Sequence, residues 1–290
     1  MAGGRAEGLR PAAATALLLI GTLVACGDRP SPDEVRAALR VIAAQPGELG
    51  RAEAAATLSC LRAKGFDPPP PMAESGAVQN LPVPVDERAA RAAGYGDAIP
   101  RGALADGRKM QRYAESTPGV DQALGGPDAA PVARLVTPNG WEFTSPRTGC
   151  VAEGRAAVYG SVGNWLTAFY LPQDLNQTAA DVYLDDGVAT ASAAYQSCMA
   201  GEGYHMRIPQ EASETARGWA AAGDSPAARE IALATADARC RSRTGIAGIW
   251  YAEFERRAAP WLTRNANRVI GAAAVVREAT ATVARRSGDR

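Results

Sequence analysis

Apolar residues spaced by three and four dominate the chain, and alternation of apolar with polar positions is confined to one short stretch. The longest periodic segment runs from Ile246 toward Arg285, with Ile246, Ile249, Trp250, Phe254, Trp261, Val269, Ile270, Ala273, Val276 and Val283 on one face. That spacing predicts a long amphipathic helix facing a core rather than a dimer seam, with a kink expected at Pro260. Shorter helices are predicted at 32–44 and 48–64, at 86–93 ahead of Gly94, and at 105–115. Others follow at 148–159 ahead of Gly160, 164–171 ahead of Pro172, 187–201 ahead of Gly203, and from Ser225-Pro226 to about 243. Residues 133–137 and 141–144 flank Pro138-Asn139-Gly140, the strongest hairpin signal in the chain. Pro68 to Pro84 reads as an extended connector, and most of 96–131 as loop. The expected fold class is mainly α: a disulfide-stapled helical domain with one small β-hairpin and a long C-terminal helix.

Composition narrows the function classes. Lys and Arg number 31 against 31 Asp and Glu, so the chain has no formal net charge and lacks the basic surface that nucleic acid demands. Hydrophobic residues make up 47%, but aromatics only 6%, so the core must be built from small side chains, above all Ala. Ala is the best helix former and a poor strand former, which agrees with the helical pattern.

The N-terminus carries a different signal. Arg5 and Arg10 precede an almost wholly apolar stretch, Ala12 to Ala25, which is too short for a membrane-spanning helix. It ends in Leu23-Val24-Ala25-Cys26, followed by polar Gly27-Asp28, and this resembles the lipobox of bacterial lipoprotein precursors. The resemblance implies that residues 1–25 are a signal peptide, that the Cys26 thiol takes a diacylglyceryl group, and that Cys26 becomes the new N-terminus. Residues 26–31 would then be a lipidated tether and 32–290 the extracytoplasmic body, divisible into halves 32–160 and 164–290. Ser31-Pro32-Asp33-Glu34 reads as a capping box opening the first helix, so the tether reaches about 20 Å at most.

Five cysteines occur, at 26, 60, 150, 198 and 240. Assigning Cys26 to lipid leaves four, an even number in an exported chain, which implies two disulfides with three connectivities open to them. A local echo favours one. Ser59-Cys60-Leu61 before Gly65-Phe66 matches Ser197-Cys198-Met199 before Gly203-Tyr204, and each is followed by one further cysteine. The favoured pairs are Cys60–Cys150 and Cys198–Cys240, with a chance match of two common helix ends as the alternative. Cys198-Met199 … Gly203-Tyr204, Glu230 through Asp237 … Cys240, Thr244-Gly245, and Gly149-Cys150 … Glu153 … Arg155 … Tyr159-Gly160 are together similar to exported or lipid-anchored proteins of actinobacteria. That resemblance implies the compartment and the paired cysteines, and carries over no catalytic residue.

Candidate chemistry is thin. No C-x-x-C occurs and the only histidine is His205, expected at the surface after a helix end, so no metal or cofactor is expected. Tyr159-Gly160-Ser161-Val162-Gly163 lacks the first glycine and the strand of a nucleophile elbow. Asp181, Asp185 and Asp186 fit a calcium loop poorly; Asp185 and Asp186 are expected to cap the next helix. Glu153 and Asp181 are a candidate carboxylate pair for cell-wall hydrolysis. Trp141, Trp165, Phe169, Tyr170 and Trp219 are candidates for a groove or, as the commoner use, for core filling. These readings favour a non-enzymatic, lipid-anchored binding or scaffold component on the outer face of the cytoplasmic membrane, with the membrane and an unidentified envelope protein or ligand as partners. A cell-wall hydrolase is the alternative, and a membrane-tethered inhibitor or chaperone the third reading.

Overall fold

Local chemistry sets the helix ends. In a computed structural model, which describes residues 30–43, 47–69, 85–96, 99, 103–220 and 228–288, the first helix opens on a reciprocal capping box. The Ser31 N–H donates to Glu34 Oε2 (2.7 Å) and the Glu34 N–H to Ser31 Oγ (3.3 Å). Cys26 with its lipobox, the connector from 70 to 84 and the Ser225-Pro226 cap lie outside the described residues. Helix α1 (Pro32–Ala43) buries Val35, Ala38, Leu39 and Ile42, a stripe of threes and fours, against α12 (Ile246–Gly288). Arg40 Nη2 reaches Glu255 Oε1 on α12 at 2.7 Å.

Helix α2 (Gly47–Ala63) packs along α6 (Cys150–Tyr159). The approach is close because α6 presents Gly154: a Cβ there would lie 2.8 Å from the Glu53 carbonyl oxygen and would also strike Thr57. Between these helices in sequence come α3 (Glu87–Ala93), capped by Asp86 accepting from the Ala89 N–H, then α4 (Ala103–Ser116) and α5 (Val120–Gly125). The hairpin pairs β1 (Val132–Val136) with β2 (Glu142–Pro146) antiparallel, Val132 opposite Pro146 and Val136 opposite Glu142. Its turn closes through the Gly140 N–H to the Thr137 carbonyl (2.9 Å), with Gly140 at φ +85°. Pro, Asn and a left-handed Gly in succession are the residues such a bulged turn requires.

After α6 come α7 (Val162–Tyr170), a 3-10 turn at Leu171–Leu175, α8 (Asn176–Asp181) and a 3-10 turn at Val182–Leu184. Helix α9 (Asp186–Gly201) starts on Asp185, which accepts from the Gly187 and Val188 N–H groups, as expected of that carboxylate. Then follow α10 (Pro209–Ala220), α11 (Ala228–Thr244) and α12. The pattern of larger apolar residues does not predict α5, the helical turns of 171–184 or α10. The buried face of α10 includes Ala212, Ala216 and Ala220, four residues apart, a stripe that does not stand out in an Ala-rich chain.

The kink of α12 is not at Pro260. The non-helical dihedrals are at Asn265 (φ −117°, ψ 17°), whose side-chain amide donates to the Trp261 carbonyl at 2.9 Å. That carbonyl is the acceptor a regular helix would offer to the Asn265 N–H, so the side chain competes with the backbone ladder there.

Both favoured disulfides are present, Cys60–Cys150 and Cys198–Cys240, with Cα separations of 5.4 and 5.7 Å. The echo between them is real at the backbone. The Phe66 N–H bonds the Leu61 carbonyl and the Gly65 N–H that of Arg62; Tyr204 and Gly203 repeat this on Met199 and Ala200. Both helices end in a Schellman motif, and the aromatic after each glycine packs into the cluster around the adjacent disulfide. Loop entropy assigns each crosslink about 4 kcal/mol as an upper figure. The largest core cluster joins α1 and α6 with α7 and α12, so residues on both sides of 160–164 share it.

Replacing Gly154 with Ala forces α2 and α6 apart, and urea unfolding is expected to read a loss of about 1–3 kcal/mol.

Candidate functional site

The sequence-named residues separate cleanly. His205 is exposed, following the helix end at Gly203. Glu153 is exposed, 3.8 Å from Lys64 Nζ, while Asp181 Oδ1 accepts from Gln177 on its own helix, so the two carboxylates work with different partners on different elements. Glu153 also comes within 4.8 Å of the Cys60 and Cys150 sulfurs, but sulfurs bonded to each other offer no thiolate to a metal. Ser161 accepts from the Asn164 N–H and is the N-cap of α7. Trp165, Phe169 and Tyr170 do not line a groove. They stack under the hairpin, with the Phe143 and Tyr170 rings 4.0 Å apart and the Trp165 and Phe169 rings 5.3 Å apart. Trp219 is half-buried beneath Arg229, and Trp141 is 64% exposed at the end of the hairpin turn.

Two polar hubs lie inside the fold. Arg155 of α6 reaches Glu53 Oε1 on α2 (3.2 Å) and Ser145 Oγ on β2 (2.6 Å), with its guanidinium carbon 3.4 Å from the centre of the Trp165 ring on α7. One side chain thus ties two helices and the hairpin to a third helix.

The second hub centres on Asp237, which is fully buried on α11. Its Oδ1 accepts from the Tyr195 hydroxyl (2.7 Å) and Arg241 Nε (2.7 Å); its Oδ2 accepts from the Tyr95 hydroxyl (2.7 Å) and Arg241 Nη2 (2.6 Å). Arg241 Nη2 also donates to the Pro209 carbonyl at the start of α10 (3.2 Å). Burial opposes the Arg241 charge, but Asp237 outweighs it and the guanidinium pKa is raised. Burial and then the Asp237 charge push the Tyr95 and Tyr195 phenols far above the ordinary tyrosine value. The cluster gathers α9, α10, α11 and the turn after α3 around one carboxylate. Its four strong bonds fill the carboxylate, so it is suited to holding helices together rather than to exchanging protons.

An open site lies elsewhere, where the hairpin tip meets the kink of α12. A cleft of about 490 Å³ is lined by Val136, Thr137, Pro138 and Asn139 on one wall and Trp261, Arg264, Asn265 and Arg268 on the other. The Asn139 N–H donates to Asp174 Oδ2 (2.9 Å) and its side-chain amide to the Asp174 carbonyl (3.1 Å), which fixes the tip on the turn at 171–175. Arg264 and Arg268, one helical turn apart, are exposed. Among the described residues Arg264 has no hydrogen-bond or ion-pair partner, and Arg268 meets only the Val136 carbonyl, at 3.3 Å. Among the described residues, Thr137 Oγ1 and Trp261 Nε1, in the cleft wall, are buried without a hydrogen-bond partner. The cleft therefore offers cationic donors and no carboxylate among its lining residues, the chemistry of an anion contact. A second cleft, of about 610 Å³, has Asp121 and Asp128 in its lining and no cationic side chain. Neither Arg264 nor Arg268 stands out in the sequence, where their four-residue spacing is the available signal.

Asp237→Asn leaves the buried Arg241 charge uncompensated and is expected to cost about 3–5 kcal/mol in urea unfolding, against about 1.5–3 kcal/mol for Tyr195→Phe. Because the folded-state phenol pKa values lie above the unfolded one, their stabilisation is full below about pH 10 and declines above it. Stability should fall by about 1.4 kcal/mol per pH unit per phenol beyond that point, and Tyr95→Phe should make the alkaline slope shallower. The chain matches no protein-family model, no curated protein and no solved structure.

Proposed function

We propose that this chain is a lipid-anchored extracytoplasmic protein, a non-enzymatic binding or scaffold component of the cell envelope held to the outer face of the cytoplasmic membrane through Cys26. The observation that carries the reading is the cysteine pairing. Two crosslinks, Cys60–Cys150 and Cys198–Cys240, use four of the five cysteines, and such bonds persist in oxidising compartments. The fifth cysteine is the one that follows Leu23-Val24-Ala25. Two acyl chains on that sulfur give stable anchoring where one does not. Binding is favoured over catalysis by the two polar sites: Asp237 is saturated inside the fold, and the open cleft presents guanidinium groups, which hold anions, rather than an acid with a base.

Expression in a lipoprotein-processing bacterium fed labelled palmitate tests the anchor. Wild-type protein is expected to carry the label and remain in washed membranes, and Cys26→Ser to lose the label and leave them. A wild-type product without acyl mass at its processed start overturns the reading.

A further inference from the structure

We propose that the cleft between the hairpin tip and the kinked last helix is a contact site for an anionic phospholipid surface, with Arg264 and Arg268 meeting lipid phosphates and the hairpin supplying the apolar contact. The placement of this contact against the membrane rests on the anchored reading above.

Charge distribution is the first argument. The chain is neutral as a whole, yet from residue 256 to 288 it carries seven arginines against one acidic residue, Glu278. Such asymmetry in a neutral chain points to a negatively charged partner for one region. Three of these arginines are committed to carboxylates. Arg256 and Arg257 bond Glu253, and Arg285 bonds Glu278. Arg264 and Arg268 are the two whose guanidinium groups open into the cleft without a carboxylate.

The apolar surroundings are the second argument. Val136, 45% exposed, lines the same cleft, and Trp141 (64%) stands out at the end of the same hairpin turn. Exposed tryptophan and arginine are side chains that favour the headgroup level of a bilayer, where rings bury their faces and cations meet phosphates. Thr137 and Trp261, each more than nine-tenths buried in the cleft wall with an unpartnered polar atom, leave hydrogen-bonding capacity at the site unspent.

Position is the third. Helix α1, which follows the tether, packs against the turn at 171–175, and Asp174 of that turn holds Asn139 of the cleft wall. The element nearest the anchor and the hairpin tip therefore share one support. Twelve helical residues span about 18 Å and the tether about 20 Å, so a bilayer holding the Cys26 lipid is within reach of the cleft.

The test uses the full chain carrying Cys26→Ser, so that acylation plays no part, sedimented with vesicles of phosphatidylcholine alone or mixed with phosphatidylglycerol. Two arginines at an anionic surface are expected to give roughly thirty-fold preference for the mixed vesicles, weakening with salt. Arg264→Gln with Arg268→Gln should abolish that preference while the far-ultraviolet circular dichroism stays unchanged, since both side chains are exposed. Arg264→Lys with Arg268→Lys should keep most of it. Equal partition onto both vesicle types, or a preference that survives the glutamine pair, overturns the proposal. So does loss of binding in the lysine pair together with displacement by millimolar inorganic phosphate, which marks a free-phosphate site instead. A shift in oligomeric state caused by the glutamine pair without vesicles marks a second copy as the occupant. None of these outcomes depends on palmitate labelling of Cys26, so failure of the contact and failure of the anchor are read separately.

Discussion

Small side chains bury little apolar area each, and that constraint governs this molecule. With aromatics at 6% of the chain, the core cannot rely on large pieces to fill space between well-separated helices. Helices must approach until alanines and glycines touch, as α2 and α6 do over Gly154 and as α10 does through Ala212, Ala216 and Ala220. Close approach leaves few ways to fix relative orientation, because small residues interlock weakly. The chain supplies orientation by other means: two covalent crosslinks and two charge hubs, one fully buried and one partly so.

The division of labour among those devices is regular. Each disulfide joins a helix that ends in a Schellman motif to a second helix, and each lies near one hub. Cys150 is on α6 with Arg155, and Cys240 on α11 with Asp237 and Arg241. The sulfur bond sets the separation of two helices, and the hub sets how further elements rotate around them. Replacing such hubs by apolar residues is often neutral for stability in other folds, whereas removing one partner of a buried pair is costly, so each hub acts as a unit. With the buried charges occupied in this way, Arg264 and Arg268 stand apart at the surface, in the cleft where the hairpin and the kinked helix meet.

Much of this was legible in the chain. Caps and stops announced themselves through Ser31 with Glu34, Asp185, Gly160 and Gly203, because those side chains and glycines act within one turn of their own position. Pro138-Asn139-Gly140 gave away the hairpin for the same reason. The cysteine pairing was readable from two similar helix ends, since a shared local motif placed each sulfur on an equivalent ledge. What stayed hidden was either too small or too distant. A stripe made of alanine does not stand out where alanine is everywhere, so α10 passed unnoticed. Asp237 and Arg241 are four apart on one helix, but Tyr195 and Tyr95 come from 42 and 142 residues away. The kink moved from Pro260 to Asn265 because a side-chain amide, and not the missing proline N–H, displaces the backbone there.

The pairing of α1 with α12 has a consequence for biosynthesis. A ribosome delivers α1 before α12, and Arg40 meets Glu255 across a sequence separation of 215. Val35, Leu39 and Ile42 therefore lack their main partner until nearly the whole polypeptide is present. The first and last described helices thus close one core together, so a chain cut short before α12 leaves the apolar stripe of α1 without its main partner.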